Sequence, residues 1–310
     1  MIDGGAIPCP AGTHANDTVI RRRILNSHRI VILMHEKDRH LRAGRQQGVY
    51  LVSALVPYWR EMGHEVNVVY GPDDVPDADV AIVHVDLSVV PENYLRAAAR
   101  CPVVVNGRVR DIRKRRVSTN LLERGDPWPG PVIVKTDLNN GGIPERLRRA
   151  RQAVDEVDVR RLRLGGLNRY RIFQSLAAVP DAYFSDARLI VERFLPERLG
   201  DMYVIRTWVF FGDRERCRRF LSPHPLVKGR GMIPDEPVPV PDSIRAQRER
   251  LGFDFGKFDF VIHGEDGVLL DANSTPGAPP RGRGIEIDAV LADQAGGLAS
   301  VIAARSLPAV

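Results

Sequence analysis

Asp259, Asp271 and Asn273 belong to one short stretch, GKFDFVIHGEDGVLLDANSTPG at residues 256–277, and all three carry hard oxygen donors. Two apolar runs, Phe258 to Ile262 and Val268 to Leu270, flank a His-Gly-Glu-Asp-Gly turn and spell a β-hairpin. Alternation along a strand puts Asp271 and Asn273 on one face, and antiparallel pairing can bring Asp259 beside them. Oxygen-bearing side chains gathered on a sheet face repel one another or stay poorly satisfied unless a cation lies between them. Magnesium or manganese suits such a set, with one or two carboxylates completed by water and substrate phosphates. The plain alternative is a polar strand end with an Asx-turn at Asn273.

A second chemistry sits at Lys135, which ends the strand-like PVIVK and runs directly into the loop TDLNNGGIP. The ammonium is a point charge for phosphate, and Asn140, Gly141 and Gly142 let backbone N–H groups approach the oxygens closely. An ordinary turn with a solvated lysine is the competing reading. Basic residues are nearly all arginine, so Lys37, Lys114, Lys135, Lys228 and Lys257 stand out. Arg281 and Arg283, with Ser274, follow the acidic hairpin and are candidates for bidentate binding of a substrate carboxylate, against the alternative of solvated arginines.

Elements that would carry these groups can be read in order. Residues 1–28, rich in Gly, Pro and Asn, read as an arm. RIVILM at 29–34 is a buried strand, and apolar residues from Val49 to Met62 recur at helical spacing. Strands at 65–70, 79–85 and 103–106 alternate with a helix at 91–100, which makes residues 29–106 a Rossmann-like parallel α/β domain. It has no GxGxxG, yet His35, Glu36, Asp86 and Asn106 end strands where such sheets hold ligands. Lys114 lies in a basic helix. RLIVERFL at 188–195 and YVIRTWVFF at 203–211 are strands with Glu192 and Arg206 embedded, and 216–221 is another. Residues 222–241, Pro-rich with His224 and Lys228, read as a mobile or extended loop. Helices are expected at 242–251 and 285–305; residues 144–186 are the least readable.

The order of these parts resembles the ATP-grasp superfamily, and within it carboxylate–amine ligases of the ribosomal-protein S6 glutamate ligase and D-alanine–D-alanine ligase type. The resemblance covers roughly residues 30–300. It implies an α/β chain in which the Rossmann-like domain precedes a small ATP-grasp lobe at 107–194 and a large lobe at 195–310 bearing the magnesium site. It further implies an ADP-forming ligase that joins a carboxylate to an amine through an acyl phosphate. Lys135 and Lys114 would then hold ATP phosphates beneath a flap at Asn139 to Gly142. Glu192, Arg193, Phe194 and Leu195 would form the hinge along the adenine edge, with Glu197 or Asp201 as the ribose acid. Arg206 would face the γ-phosphate, and Asp259, Asp271 and Asn273 would hold Mg2+ or Mn2+. The chain departs from the family pattern in having Asp271 where Glu is usual. A small-molecule kinase of the same fold, or a nucleotide-binding pseudoenzyme, remains open.

Composition narrows the classes. The chain has 310 residues, 44% hydrophobic and 27% charged, as expected of a globular protein. A formal charge of +6 invites nucleic acid, but the arginines are dispersed and not interleaved with aromatics, so an acidic substrate or ATP is the better partner. Apolar runs are too short for a membrane span, and no signal-peptide core opens the chain. Cys9, Cys101 and Cys217 have no metal or disulfide spacing, so a reducing cytoplasm is expected. Substrates would be small-molecule or peptide carboxylates and amines; assembly into a homo-oligomer stays open.

Overall fold

A computed structural model describes residues 27–39, 50–149, 170–278 and 285–306. The expected arm at 1–28, apart from its last two residues, lies outside them, as do Arg281 and Arg283 and residues 150–169 of the least readable segment.

Four short strands make a parallel sheet: β1 (Arg29–Met34), β2 (Glu65–Tyr70), β3 (Val80–His84) and β4 (Val103–Val105), in the order β2-β1-β3-β4. Strands β1, β3 and β4 are apolar runs largely buried on both faces, while β2 is a partly exposed edge strand. Helix α1 (Leu51–Glu61) buries Leu51, Val52, Leu55, Val56 and Trp59 on one face of it. Helix α2 (Glu92–Ala98) covers the other, where Val31, Leu33, Ala81 and Val83 meet Tyr94, Leu95 and Ala98. The expected Rossmann-like layering is therefore present.

The basic segment after β4 forms only one helical turn, α3 (Lys114–Val117). A three-stranded antiparallel sheet follows, β6-β5-β7, from β5 (Val132–Thr136), β6 (Arg171–Phe173) and β7 (Leu189–Arg193). Helix α4 (Ile143–Arg149) follows β5, and a one-turn helix α5 (Asp181–Ser185) precedes β7. Val132, Val134 and Val191 point to a core with Leu122, Leu176 and Val179, so Ile133, Lys135, Ile190 and Glu192 share the opposite face.

The last sheet has the order β11-β10-β9-β12-β13, with β8 (Glu197–Leu199) also pairing to β9 (Met202–Phe211). Strands β10 (Arg214–Ser222), β12 (Phe255–His263) and β13 (Asp266–Asn273) extend it, and α6 (Asp242–Leu251) packs across β13. Strand β11 (Ile233–Pro237) corrects the expectation of a mobile or extended loop at 222–241. Proline is tolerated there because β11 is an edge strand. It is pinned by Arg219, whose guanidinium meets Asp235 at 2.5 Å and Glu236 at 2.8 Å.

Helix α7 (Ile285–Ser306) closes the molecule. Among the described residues it holds the one segment, Ile287–Arg305, long and apolar enough to cross a membrane by composition. Its Leu291, Ala295, Leu298 and Val301 are buried with α1, Phe211 and Phe255, and Trp59 donates from Nε1 to Ala295 O at 2.9 Å. The apolar run thus belongs to the core that joins the first sheet to the last.

Candidate functional site

Hydrogen-bond pairing of β12 with β13 sets Asp259 directly opposite Asp271, with the register shifting immediately after Asp259. Both carboxylates and Asn273 line a single cavity of about 850 Å³, inside the roughly 300–1,000 Å³ range of small-molecule sites. Each already has protein partners. Asp259 accepts from the Thr207 hydroxyl at 2.8 Å and from Lys257 Nζ at 2.7 Å. Asn273 Oδ1 accepts from Thr275 N–H at 2.8 Å, which is the Asx-turn that the sequence allowed. Asp271 Oδ1 lies 3.3 Å from Lys114 Nζ but is buried without a formed hydrogen bond.

Two lysines balance the two carboxylates. Burial alone would lower the Lys257 ammonium, but Asp259 and then Asp271 outweigh it and hold it above the usual lysine value. Lys114 is likewise raised, its burial outweighed first by Asp271. Among the described residues no group of three His, Cys, Asp or Glu side chains could cage a metal. Two carboxylates and an amide do fit a hard divalent ion when phosphate oxygens complete its shell, and Asp271, whose Oδ1 has the Lys114 ion pair but no formed hydrogen bond, is the carboxylate that would receive it.

The opposite wall comes from the three-stranded sheet. Ile133 and Lys135 line the cavity from β5. Lys135 Nζ lies 2.6 Å from Glu192 Oε2, and both side chains are almost wholly buried. The side chain of Glu192, on the same face of the sheet, therefore orients Lys135. Phe194 and Leu195 line the cavity, and the Phe194 N–H is occupied by Pro131 O at 2.9 Å. Arg193 lines the cavity as well; its backbone is held by Asn120 and its guanidinium lies 5.0 Å from the Trp128 ring.

After β5, Asn139–Gly142 form a 3-10 turn with Asn140 at φ 46 and Gly141 at φ 64. Asn139, Asn140 and Gly141 line the cavity, while Gly142, at φ +70 and with Leu138 at 3.0 Å from any Cβ, makes the turn possible. Pro225 to Lys228 make a side wall, and the Lys228 ammonium sits 4.3 Å over the Tyr170 ring. Burial and then Lys114 lower Lys228 below the ordinary lysine value.

Other expected residues lie off the cavity. Arg206 turns its guanidinium onto Glu197, at 2.7 Å for the shortest contact, and does not line the cavity. Glu197 lines it but also accepts Ile262 N–H at 2.7 Å, and Asp201 is exposed in the turn between β8 and β9. Ser274 is buried outside the lining. Asn106, a strand end expected at the crevice, instead accepts from Asp254 and Phe255 N–H groups and is structural.

Missed by the sequence reading as cavity residues were Lys257, Tyr170, Asp38, Tyr50 and Arg148; Lys228, noted on the Pro-rich loop, lines the cavity as well. The scarcity of lysine was a usable signal: Lys135, Lys228 and Lys257 line the cavity and Lys114 adjoins it through Asp271.

No family model and no curated protein matches the sequence. Solved structures do. The RimK domain protein ATP-grasp from Sphaerobacter thermophilus is 15% identical over 88% of this chain and 99% of its own, with a TM-score of 0.45. D-alanine–D-alanine ligase from Bacillus anthracis is 11% identical over 89% of this chain and 98% of its own, with a TM-score of 0.39. Macrocyclase MdnC from Microcystis aeruginosa, bound with precursor peptide MdnA, is 9% identical over 88% and 99%, with a TM-score of 0.40. All three matches run at identities of 15% or less and TM-scores of 0.45 or less.

Proposed function

We propose that this protein is an ATP-dependent ligase that joins a carboxylate to an amine through an acyl phosphate, releasing ADP. The observation that carries the reading is the convergence of Lys135, Lys228 and Lys257, from three separate elements, on a cavity whose floor holds Asp259, Asp271 and Asn273. A polyphosphate is the ligand that both accepts several ammonium groups and completes a hard metal's shell.

In this reading Lys135 and Lys228 hold the phosphates, and the Asn139–Gly142 turn approaches them with backbone. The adenine lies against Phe194 and Leu195. A divalent ion, when bound at Asp271 and Asn273, supplies charge neutralisation. Lys257 meets the charge that grows as the substrate carboxylate oxygen bonds to the γ-phosphorus and the bond to ADP breaks. The walls exclude water, so the acyl phosphate survives until an amine nitrogen displaces phosphate.

A nucleotide-binding protein without turnover is the second reading. It is favoured by the ion pairs Lys257–Asp259 and Lys114–Asp271, which neutralise the acidic hairpin without any metal. ADP release across a panel of carboxylates, with hydroxylamine to trap acyl phosphate as hydroxamate, separates the two. Carboxylate-dependent ADP and hydroxamate support the ligase. ATP binding without either product across the panel supports the second reading.

A further inference from the structure

Helix α2 covers one face of the parallel sheet and α7 packs on the other, yet Leu95 and Arg96 from α2 and Arg305 from the end of α7 line one hollow of about 360 Å³. A hollow lined from both faces lies across the edge of the sheet. Val104 on the edge strand β4 and Arg108 just after it complete the lining. The size falls near the lower end for small-molecule sites, about 300 Å³. None of the residues around this hollow lines the large cavity, so the two are separate places.

Four guanidinium groups, those of Arg96, Arg108, Arg110 and Arg305, stand around an apolar patch of Leu95 and Val104. Two carboxylates answer them. Arg305 Nη2 lies 3.0 Å from Asp254 Oδ1; Asp254 is only 13% exposed and also accepts the Asn106 N–H at 2.8 Å, so that pair belongs to the fold. Arg110 Nη1 meets Glu92 Oε2 at 2.8 Å, but these side chains are 62% and 55% exposed, and an ion pair in that much water contributes little. Arg96 and Arg108 have no hydrogen-bond acceptor or carboxylate partner among the described residues. Guanidinium groups held around one hollow repel one another, and an anion between them removes that repulsion. The backbone adds a donor: the Val103 N–H is spent on Asp79 O at 3.2 Å, so alternation along β4 turns the Val104 N–H to the open edge.

We propose that this hollow binds a small phosphomonoester, with its phosphate on Arg96 and Arg108, Arg110 turned in from Glu92, and its organic body on Leu95 and Val104. Arginine forks hold two phosphate oxygens at once, and such an ester carries roughly two negative charges at neutral pH, matching the two unanswered guanidinium groups. The test uses the full chain at low ionic strength, with phenyl phosphate, inorganic phosphate and benzyl alcohol titrated by calorimetry or ligand-observed NMR. Phenyl phosphate should bind saturably and roughly tenfold or more tightly than either of the others. Arg96 and Arg108 are exposed, so the double variant Arg96→Gln/Arg108→Gln should keep the wild-type melting temperature and weaken phenyl phosphate by a similar factor. Absence of saturable binding, or phenyl phosphate binding no better than benzyl alcohol, overturns the site. Inorganic phosphate binding as tightly as phenyl phosphate overturns the organic ester. Binding that survives in the double variant but is lost in Lys228→Gln places the probe in the large cavity and likewise overturns the site. The comparison of the three probes on wild type decides even where a variant does not fold.

Discussion

Replacing Lys135 by alanine does two things at once, and the structure separates them. The sequence suggested a strand-end lysine without a structural partner, so that its loss would touch only ligand binding. Instead Lys135 Nζ and Glu192 Oε2 lie 2.6 Å apart with side chains only 7% and 1% exposed. At that separation the attraction is roughly 6 kcal/mol at an effective dielectric of about 20, offset by removing both ions from water. Lys135→Ala leaves the Glu192 carboxylate buried and unpaired, which should destabilise the fold by about 3–5 kcal/mol. Adding Glu192→Gln removes the stranded charge and should recover most of that loss. Recovery should not extend to nucleotide, because the ammonium proposed to meet phosphate is absent in both variants; ATP affinity should stay roughly 10- to 100-fold below wild type. Urea denaturation and ATP calorimetry on wild type, both single variants and the double variant measure the two effects. A Lys135→Ala protein as stable as wild type, or a double variant that binds ATP like wild type, would refute the reasoning.

Three further outcomes are expected. His35 is held at about 4, first by burial and then by Arg148 and Lys37, so the folded state resists its protonation; stability should fall as pH drops from about 6.5 toward about 4, by on the order of 1–2 kcal/mol given its partial exposure, and His35→Gln should flatten that segment of a pH–stability curve. Gly142→Ala should lower stability by about 1–2 kcal/mol in denaturant titration, since φ is +70 and Leu138 lies 3.0 Å from the new Cβ. Lys257→Met frees Asp259 of its ammonium, so manganese binding without nucleotide, followed by electron paramagnetic resonance, should strengthen severalfold.

The parts of the fold that could be read were those where local periodicity and burial agree. Continuous apolar runs at Ile30–Met34 and Val80–Val83 suit a covered parallel sheet, and the turn after Ile262 makes an antiparallel hairpin; its plain register would set Asp259 opposite Leu270, and the bulge after Asp259 that sets it opposite Asp271 carries no signal in the sequence. The failures have equally definite causes. Prolines around Ile233 suggested a loop, yet an edge strand needs hydrogen bonds on one side only. Glu192 was expected in a hinge that acts through its backbone, and alternation along β7 additionally turns its side chain toward Lys135, a pairing that the sequence reading did not foresee. Lys257 shares parity with Asp259, so alternation alone places it on the acidic face, where it competes with the cation that the carboxylates suggested. Arg148 could not be paired with Asp38 from sequence at all, since 110 positions separate them and only the packed fold brings them together.

The central claim is that the cavity holds a metal–polyphosphate, and ATP titration in excess magnesium and in excess chelator tests it most directly. Asp271 and Asn273 provide too few oxygens to hold an ion alone, and Lys114 and Lys257 already balance the hairpin's charge, so metal and nucleotide should each need the other. The account predicts ATP binding roughly tenfold or more tighter with magnesium, and by reciprocity the same gain in magnesium affinity when ATP is present. ATP that binds equally well in chelator and in magnesium would contradict it.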